Sequence, residues 1–219
     1  MKQAGINTDS AIPKIEGEKS RCVAWFKLAD LVSRKEKEKA LNLYRLLSHS
    51  LEERAYALQV EGDILWSLED NAAIEKYLQA AYLYKKEKKL TSSIAIYEHL
   101  LTLEPHNFSH LKTLALLYLF LSWPEKFEQR YEQLLLLLDS GVVEFGKVWD
   151  FTKQLIDLFV IPVKLNQPQI EKEFEIKVEE LSENKWLLAS LYLVLKNSHS
   201  SLYDLFEKYC LDNQLNFNS

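Results

Sequence analysis

Apolar side chains in this chain recur every three or four positions, not every two. From Glu18 to about Asp139 they gather into blocks of roughly sixteen residues separated by breaks of two or three, the spacing by which antiparallel helices are joined and each buries one stripe. The pattern predicts helices over 18–33, 35–49, 51–68, 71–88, 90–104, 107–121 and 124–139. Residues 1–17 mix Gly, Asn, Thr, Pro and charges without a period and read as a loose N-terminal arm. Beyond Asp139 a further amphipathic helix is expected over 144–160. Ile161-Pro162-Val163 ends it, Asn166 to Pro168 reads as a turn, and three helices follow near 169–182, 185–196 and 201–212. Residues 140–219 are read as terminal helices capping an open stack, with a separate small bundle as the alternative.

Several breaks carry start signals. Ser33 with Glu36, Ser50 with Glu53 and Ser122 with Glu125 each set a hydroxyl at an N-cap and a carboxylate three residues on, the capping-box spacing. Pro105 and Pro124 stand where helices stop or begin.

The chain also repeats itself. A shift of 33 carries Trp25, Leu28, Ala29, Val32, Ala40, Tyr44 and Leu47 onto Leu58, Glu61, Gly62, Leu65, Ala73, Tyr77 and Ala80, and six of the seven pairs keep size or character. A shift of 34 carries Ala81, Tyr84, Ser93, Tyr97 and Leu100 onto Ala115, Tyr118, Phe127, Tyr131 and Leu134. Small residues such as Ala29 and Gly62 let two helices approach, and an aromatic from the facing helix, such as Tyr44 or Tyr77, fills the groove between them. Each pair then leaves an apolar face for the next pair to cover.

The strings Trp25-x2-Leu28-Ala29-x2-Val32 with Ala40-x3-Tyr44, Gly62-x2-Leu65 with Ala73-Ile74-x2-Tyr77-x2-Ala80, and Tyr97-x2-Leu100-x4-Pro105 make residues 22–138 resemble the tetratricopeptide repeat. The resemblance implies an all-α, right-handed superhelix of antiparallel helix pairs with C-terminal capping helices. The first two units are one residue short between their helices, and helix 71–88 fits both as the second helix of one unit and as the first of the next.

Composition agrees with helices. Five Gly and five Pro leave little material for the tight turns of an all-β domain. The net charge of −5 is small and mixed: residues 1–139 hold 19 basic and 20 acidic side chains, residues 140–219 hold 8 and 12, so neither part has the basic excess that a nucleic-acid backbone requires. The lysine-rich runs Arg34 to Lys39 and Lys85 to Lys89 are interleaved with Glu near helix ends and read as solvated surface. The longest apolar runs, among them Leu114 to Leu121 and Leu187 to Leu195, are too short to cross a bilayer, and Met1 to Ser20 lack the apolar stretch of a signal peptide. Cys22 and Cys210 have no partner spacing and read as reduced, buried or half-buried thiols, so the expected location is cytoplasmic.

Catalytic chemistry is not indicated. His106 and His110 stand four apart near Glu104 and Asn107, a spacing open to a metal, but the pair straddles a helix start and no third ligand converges, so a surface role is expected. Glu52-Glu53, Glu69-Asp70 and Glu179-Glu180 are adjacent and diverge on a helix. No Gly-rich phosphate loop or nucleophile elbow occurs. No cofactor is expected, and the chain reads as a binding protein and not an enzyme.

The resemblance implies a scaffold, adaptor or chaperone-like module that holds a peptide or helix in a concave groove formed by the first helices of the units. Carried over by position, that surface is Val23, Phe26 and Asp30, then Tyr56, Gln59, Asp63 and Trp66, and in the later register Lys112, Leu116 and Leu119. Positions that clamp a terminal carboxylate in chaperone-type members hold Phe26, Asp30, Gln59 and Asp63 here, which disfavours that capture. The expected partner is another protein, presenting an apolar segment or amphipathic helix with a basic residue opposite Asp30 and Asp63. The same aromatics also suit core packing between units. The competing reading is a structural subunit self-associating through Leu187, Leu191, Tyr192, Leu195, Tyr203 and Phe206.

Overall fold

The computed structural model describes residues 12–160 and 186–215. These form ten helices and, among the described residues, no strand: α1 (Ile12–Ser33), α2 (Lys37–Ser48), α3 (Arg54–Ser67), α4 (Ala72–Lys86), α5 (Leu90–Leu103), α6 (Phe108–Phe120), α7 (Pro124–Asp139), α8 (Phe145–Phe159), α9 (Trp186–Ser198) and α10 (Ser200–Asp212). The helix expected over 169–182 and the turn at Asn166 to Pro168 lie outside the described residues. Helix α1 begins at Ile12, inside the stretch read as a loose arm. Pro13 sits in its first turn, where a missing N–H costs nothing.

At none of the three expected capping boxes does the serine hold the N-cap position, which falls on Glu36, Glu53 and Trp123. Ser33 Oγ donates back to Asp30 O at 2.7 Å and Ser50 Oγ to Leu47 O at 2.7 Å, so both hydroxyls serve the helix they follow. Ser122 belongs to the turn that ends α6, with φ 54°. Side-chain N-caps are supplied elsewhere: Asn107 accepts from His110 N at 3.2 Å, His199 Nδ1 from Leu202 N at 3.2 Å, and Asp70 Oδ1 from Ala72 N at 3.0 Å.

The tight turns share one geometry. Lys35, Glu69, Lys88, Ser122 and Gly141 all hold positive φ, between 54° and 72°. At each, the amide of that residue bonds the carbonyl three back and the next amide bonds the carbonyl five before it, as in Lys35 N to Val32 O at 3.0 Å and Glu36 N to Leu31 O at 2.9 Å. This is the Schellman ending, which satisfies carbonyls that the last helical turn leaves orphaned. Lys35 and Glu69 stand 34 positions apart, as do Lys88 and Ser122. The turn geometry therefore repeats in the hairpins α1–α2 and α3–α4, and again in α4–α5 and α6–α7.

The chain divides into two compact units, Met1–Leu83 and Tyr84–Ser219, and the boundary falls within α4. In the first unit α1 packs on α2 and α3, and α2 on α3. Its core holds Leu28, Leu31, Ala40, Tyr44, Leu47 and Ile64, with the Trp25 ring edge-on to Tyr44 at 6.3 Å.

In the second unit α6 lies between α5 and α7, while α9 packs on α7, α8 and α10. Helix α6 is buried on all sides from Leu114 to Leu119, with Leu111 buried before that run, while Ser109, Lys112 and Thr113 reach solvent nearer its start. The C-terminal helices therefore belong to the same compact unit as α5 to α8. Leu187, Leu191, Leu195 and Phe206, expected as an exposed self-association face, are fully buried in that core.

Candidate functional site

Tyr56, Gln59, Asp63 and Trp66 follow one another at three- and four-residue steps and so share one side of α3. The buried residues of this helix are Ala55, Gly62, Ile64 and Leu65; Ile64 and Leu65 face away from the stripe, and Ala55 and Gly62 border it on one side. Tyr56 and Trp66 remain 48% and 41% exposed, although a Tyr or Trp of a completed core is normally covered. On α1, which packs against α3, Val23 and Phe26 are 66% and 77% exposed, and Asp30 is exposed beside them.

The polar groups on this side are arranged by the core beneath. Gly62 leaves space for the Tyr77 ring, and the Tyr77 hydroxyl donates to Asp63 Oδ1 at 2.8 Å. Burial, then the Asp63 carboxylate, pushes the Tyr77 phenol well above its ordinary range. Tyr44, donating to Ala57 O, is pushed up by burial and then by the charge of Glu61. Asp30 pairs with Arg34 at 3.1 Å and Glu61 with Lys76 at 3.0 Å. Along the turns, Lys35 Nζ reaches Glu69 Oε1 and Ser67 O, each at 2.8 Å, and Lys37 reaches Asp70 at 2.7 Å. The Tyr77 hydroxyl and the Arg34 pair were not foreseen from the sequence, although Asp30 and Arg34 stand at the four-residue spacing of a helical ion pair.

The later positions belong to the second unit and behave differently. Lys112 is half-buried with its ammonium 5.6 Å from the Phe151 ring centre. Leu116 and Leu119 are fully buried. Enclosed within this C-terminal part of α6, these two leucines pack the core and offer nothing to a ligand on the surface. The surface carried over from the resemblance thus survives as an exposed face in α1 and α3.

The remaining candidates also resolve. His106 is exposed and His110 is 5% exposed, so the pair shares no open face, and the expected surface role does not hold for His110. Among the described residues no group of three or more His, Cys, Asp or Glu is placed to hold a metal. Cys22 is exposed, contrary to expectation, while burial pushes the Cys210 thiol up to about 11. No described helix is long and apolar enough to cross a membrane.

Grooves of about 520 Å³ lie in each of the two units. One, in the first unit, is lined by Leu58, Leu78 and Tyr82, turned away from the Tyr56–Trp66 stripe. The other, in the second unit, lies beside the Glu98–Arg130 ion pair.

Compared with known proteins, the chain matches no family model, and neither a curated protein nor a solved structure shows significant similarity to it.

Proposed function

We propose that the chain is a tetratricopeptide-like helical repeat protein acting as a scaffold or adaptor, which holds an apolar segment or amphipathic helix of another protein against the outer side of α1 and α3. One observation carries this reading. Val23, Phe26, Tyr56 and Trp66 stand exposed on two neighbouring helices of a unit whose core closes without them. Aromatic side chains of this kind, with an apolar body and a polar edge, are the usual anchors of protein interfaces. The recurrence of the Schellman turns at 34 residues supports the repeat assignment.

The test is selection of peptides from a random-sequence display library on the full chain, followed by binding to the Tyr56→Ala/Trp66→Ala variant. Selected peptides should bind that variant at least about tenfold more weakly while its helicity and melting temperature stay within error of the parent. Undiminished binding of all selected peptides would remove the assignment.

A further inference from the structure

The carboxylates around the α1–α3 face differ in how their charge is met. Asp30 has Arg34 at 3.1 Å, Glu61 has Lys76 at 3.0 Å, and Asp70 has Lys37 at 2.7 Å. Asp63 has no basic side chain of the described residues within ion-pair distance. Its Oδ1 takes the Tyr77 hydroxyl at 2.8 Å, a neutral donor that orients the carboxylate without cancelling its charge. Tyr77 is itself held by its buried ring against Gly62, so the orientation is set by packing and not by a mobile surface chain.

This oriented, uncompensated anion lies on the same stripe as Tyr56 and Trp66, seven positions after one and three before the other. A carboxylate one helical turn from one exposed aromatic ring and two turns from another, on the same helix face, has the chemistry that receives an organic cation. The carboxylate meets the charge, and the rings take the apolar stem and attract the cation through their faces. Neither part is strong alone, since an exposed ion pair contributes little and an exposed ring contact only slightly more. Together, on a pre-oriented acceptor, they favour one basic side chain over a neutral one.

We propose that Asp63 is the docking point for a single arginine or lysine side chain of the partner segment, lying between Tyr56 and Trp66. The inference rests on the α1–α3 reading above and adds what the partner must carry. Asp30, initially expected to share this role, is already met by Arg34.

The experiment is the same display selection, run in parallel on the full chain and on Asp63→Asn, which keeps an oxygen for Tyr77 and removes the charge. The full chain is expected to enrich peptides with a basic residue at one fixed position. Replacing that residue by glutamine should weaken binding about tenfold, added salt should weaken the parent peptide more than the glutamine peptide, and Asp63→Asn should enrich no such position. Peptides lost on Tyr56→Ala/Trp66→Ala that carry no fixed basic residue, and bind Asp63→Asn undiminished, would overturn the cation site while leaving the aromatic surface standing. Selection of no peptide sensitive to Tyr56 and Trp66 would overturn both.

Discussion

Gly62 and Tyr77 are in contact across the α3–α4 hairpin: a Cβ built on Gly62 would lie 2.7 Å from Tyr77 Cε1, closer than real Cβ atoms come. Two opposing effects act on Gly62→Ala. Alanine gains about 1 kcal/mol of helix propensity, whereas forcing a fully enclosed ring aside costs roughly 1–3 kcal/mol. Tyr77 is 1% exposed and its hydroxyl is tied to Asp63, so the ring has little room to yield. Gly62→Ala should therefore lose about 1 kcal/mol net in urea unfolding, and Gly62→Val more. A gain in stability for either would show that the ring moves freely.

Ser122 holds φ 54° in the turn between α6 and α7, a region that costs a residue with a side chain about 1–2 kcal/mol. Glycine removes that cost but gives the unfolded chain more freedom, returning about 0.5–1 kcal/mol. Ser122→Gly should be about 0.5–1 kcal/mol more stable than Ser122→Ala, since both lack the hydroxyl and differ in the cost of the left-handed backbone, and Ser122→Val should be less stable than Ser122→Ala. The midpoint of chemical denaturation reads both.

The same turns explain what the sequence hid. Helix positions were legible because each buries a regular stripe, and α5, α7 and α9 begin within a residue or so of their expected starts. The way helices end was not, since Lys35, Glu69, Lys88 and Ser122 adopt a left-handed conformation that glycine normally marks, and none of them is glycine. Serines beside these turns looked like N-caps, yet the same hydroxyl can serve a preceding carbonyl, as Ser33 and Ser50 do. At the site, Tyr56 and Trp66 were reached only through the resemblance, by the places they take on the first helix of a unit, and both stand exposed on α3. The same carry-over gave Leu116, which instead lies in the stretch from Leu114 to Leu119 that neighbouring helices bury on all sides. The C-terminal leucines misled in the same way, since α9 is covered by α7, α8 and α10.

Glu98 joins two helices of the second unit through its charge. It accepts from the Tyr118 hydroxyl and pairs with Arg130, whose side chain is 18% exposed. Glu98→Ala strands a largely buried guanidinium and a phenol, and should cost about 2–3 kcal/mol. Tyr118→Phe removes a single hydrogen bond and should cost only about 1 kcal/mol. Equal losses in the two variants would mean that the Arg130 charge finds another partner.

His110 gives the fold a pH dependence. Burial lowers its pKa below the ordinary 6.5, and Glu104, at 3.3 Å, opposes that shift without cancelling it. The imidazole also stands in the first turn of α6, where a positive charge faces the positive end of the helix dipole. The unfolded chain therefore binds a proton more readily than the folded one. Stability contributed by the neutral ring is complete above 6.5 and declines as pH falls from there toward the lowered folded value. Glu36, Glu69 and Asp70, whose pKa values are lowered by the hydrogen bonds of Lys39, Lys35 and Lys37, lose their contribution only in more acidic solution, below the ordinary carboxylate range. Melting temperatures at pH 7.5 and pH 5.5 should thus differ more for the parent chain than for His110→Leu, and an equal difference would assign the dependence to other groups.

Tyr131 and Thr152 share a buried hydrogen bond at 2.5 Å that fixes α7 to α8. Its polarity follows from the third partner. Thr152 Oγ1 lies 2.8 Å from Val148 O, which can only accept, so the threonine proton is used there and the Tyr131 hydroxyl must donate to Thr152. Thr152→Val keeps the shape of the side chain but leaves a fully buried phenol proton without an acceptor, at a cost of about 1–3 kcal/mol. Tyr131→Phe removes the donor and leaves Thr152 bonded to Val148, costing about 1 kcal/mol. Once the phenol is gone, the valine no longer strands a donor. The double variant Tyr131→Phe/Thr152→Val should then be no less stable than Thr152→Val alone, and the thermodynamic cycle should show a coupling of about 1 kcal/mol. Additive losses would mean that water or a rearranged backbone carbonyl takes up the phenol proton when the threonine is removed.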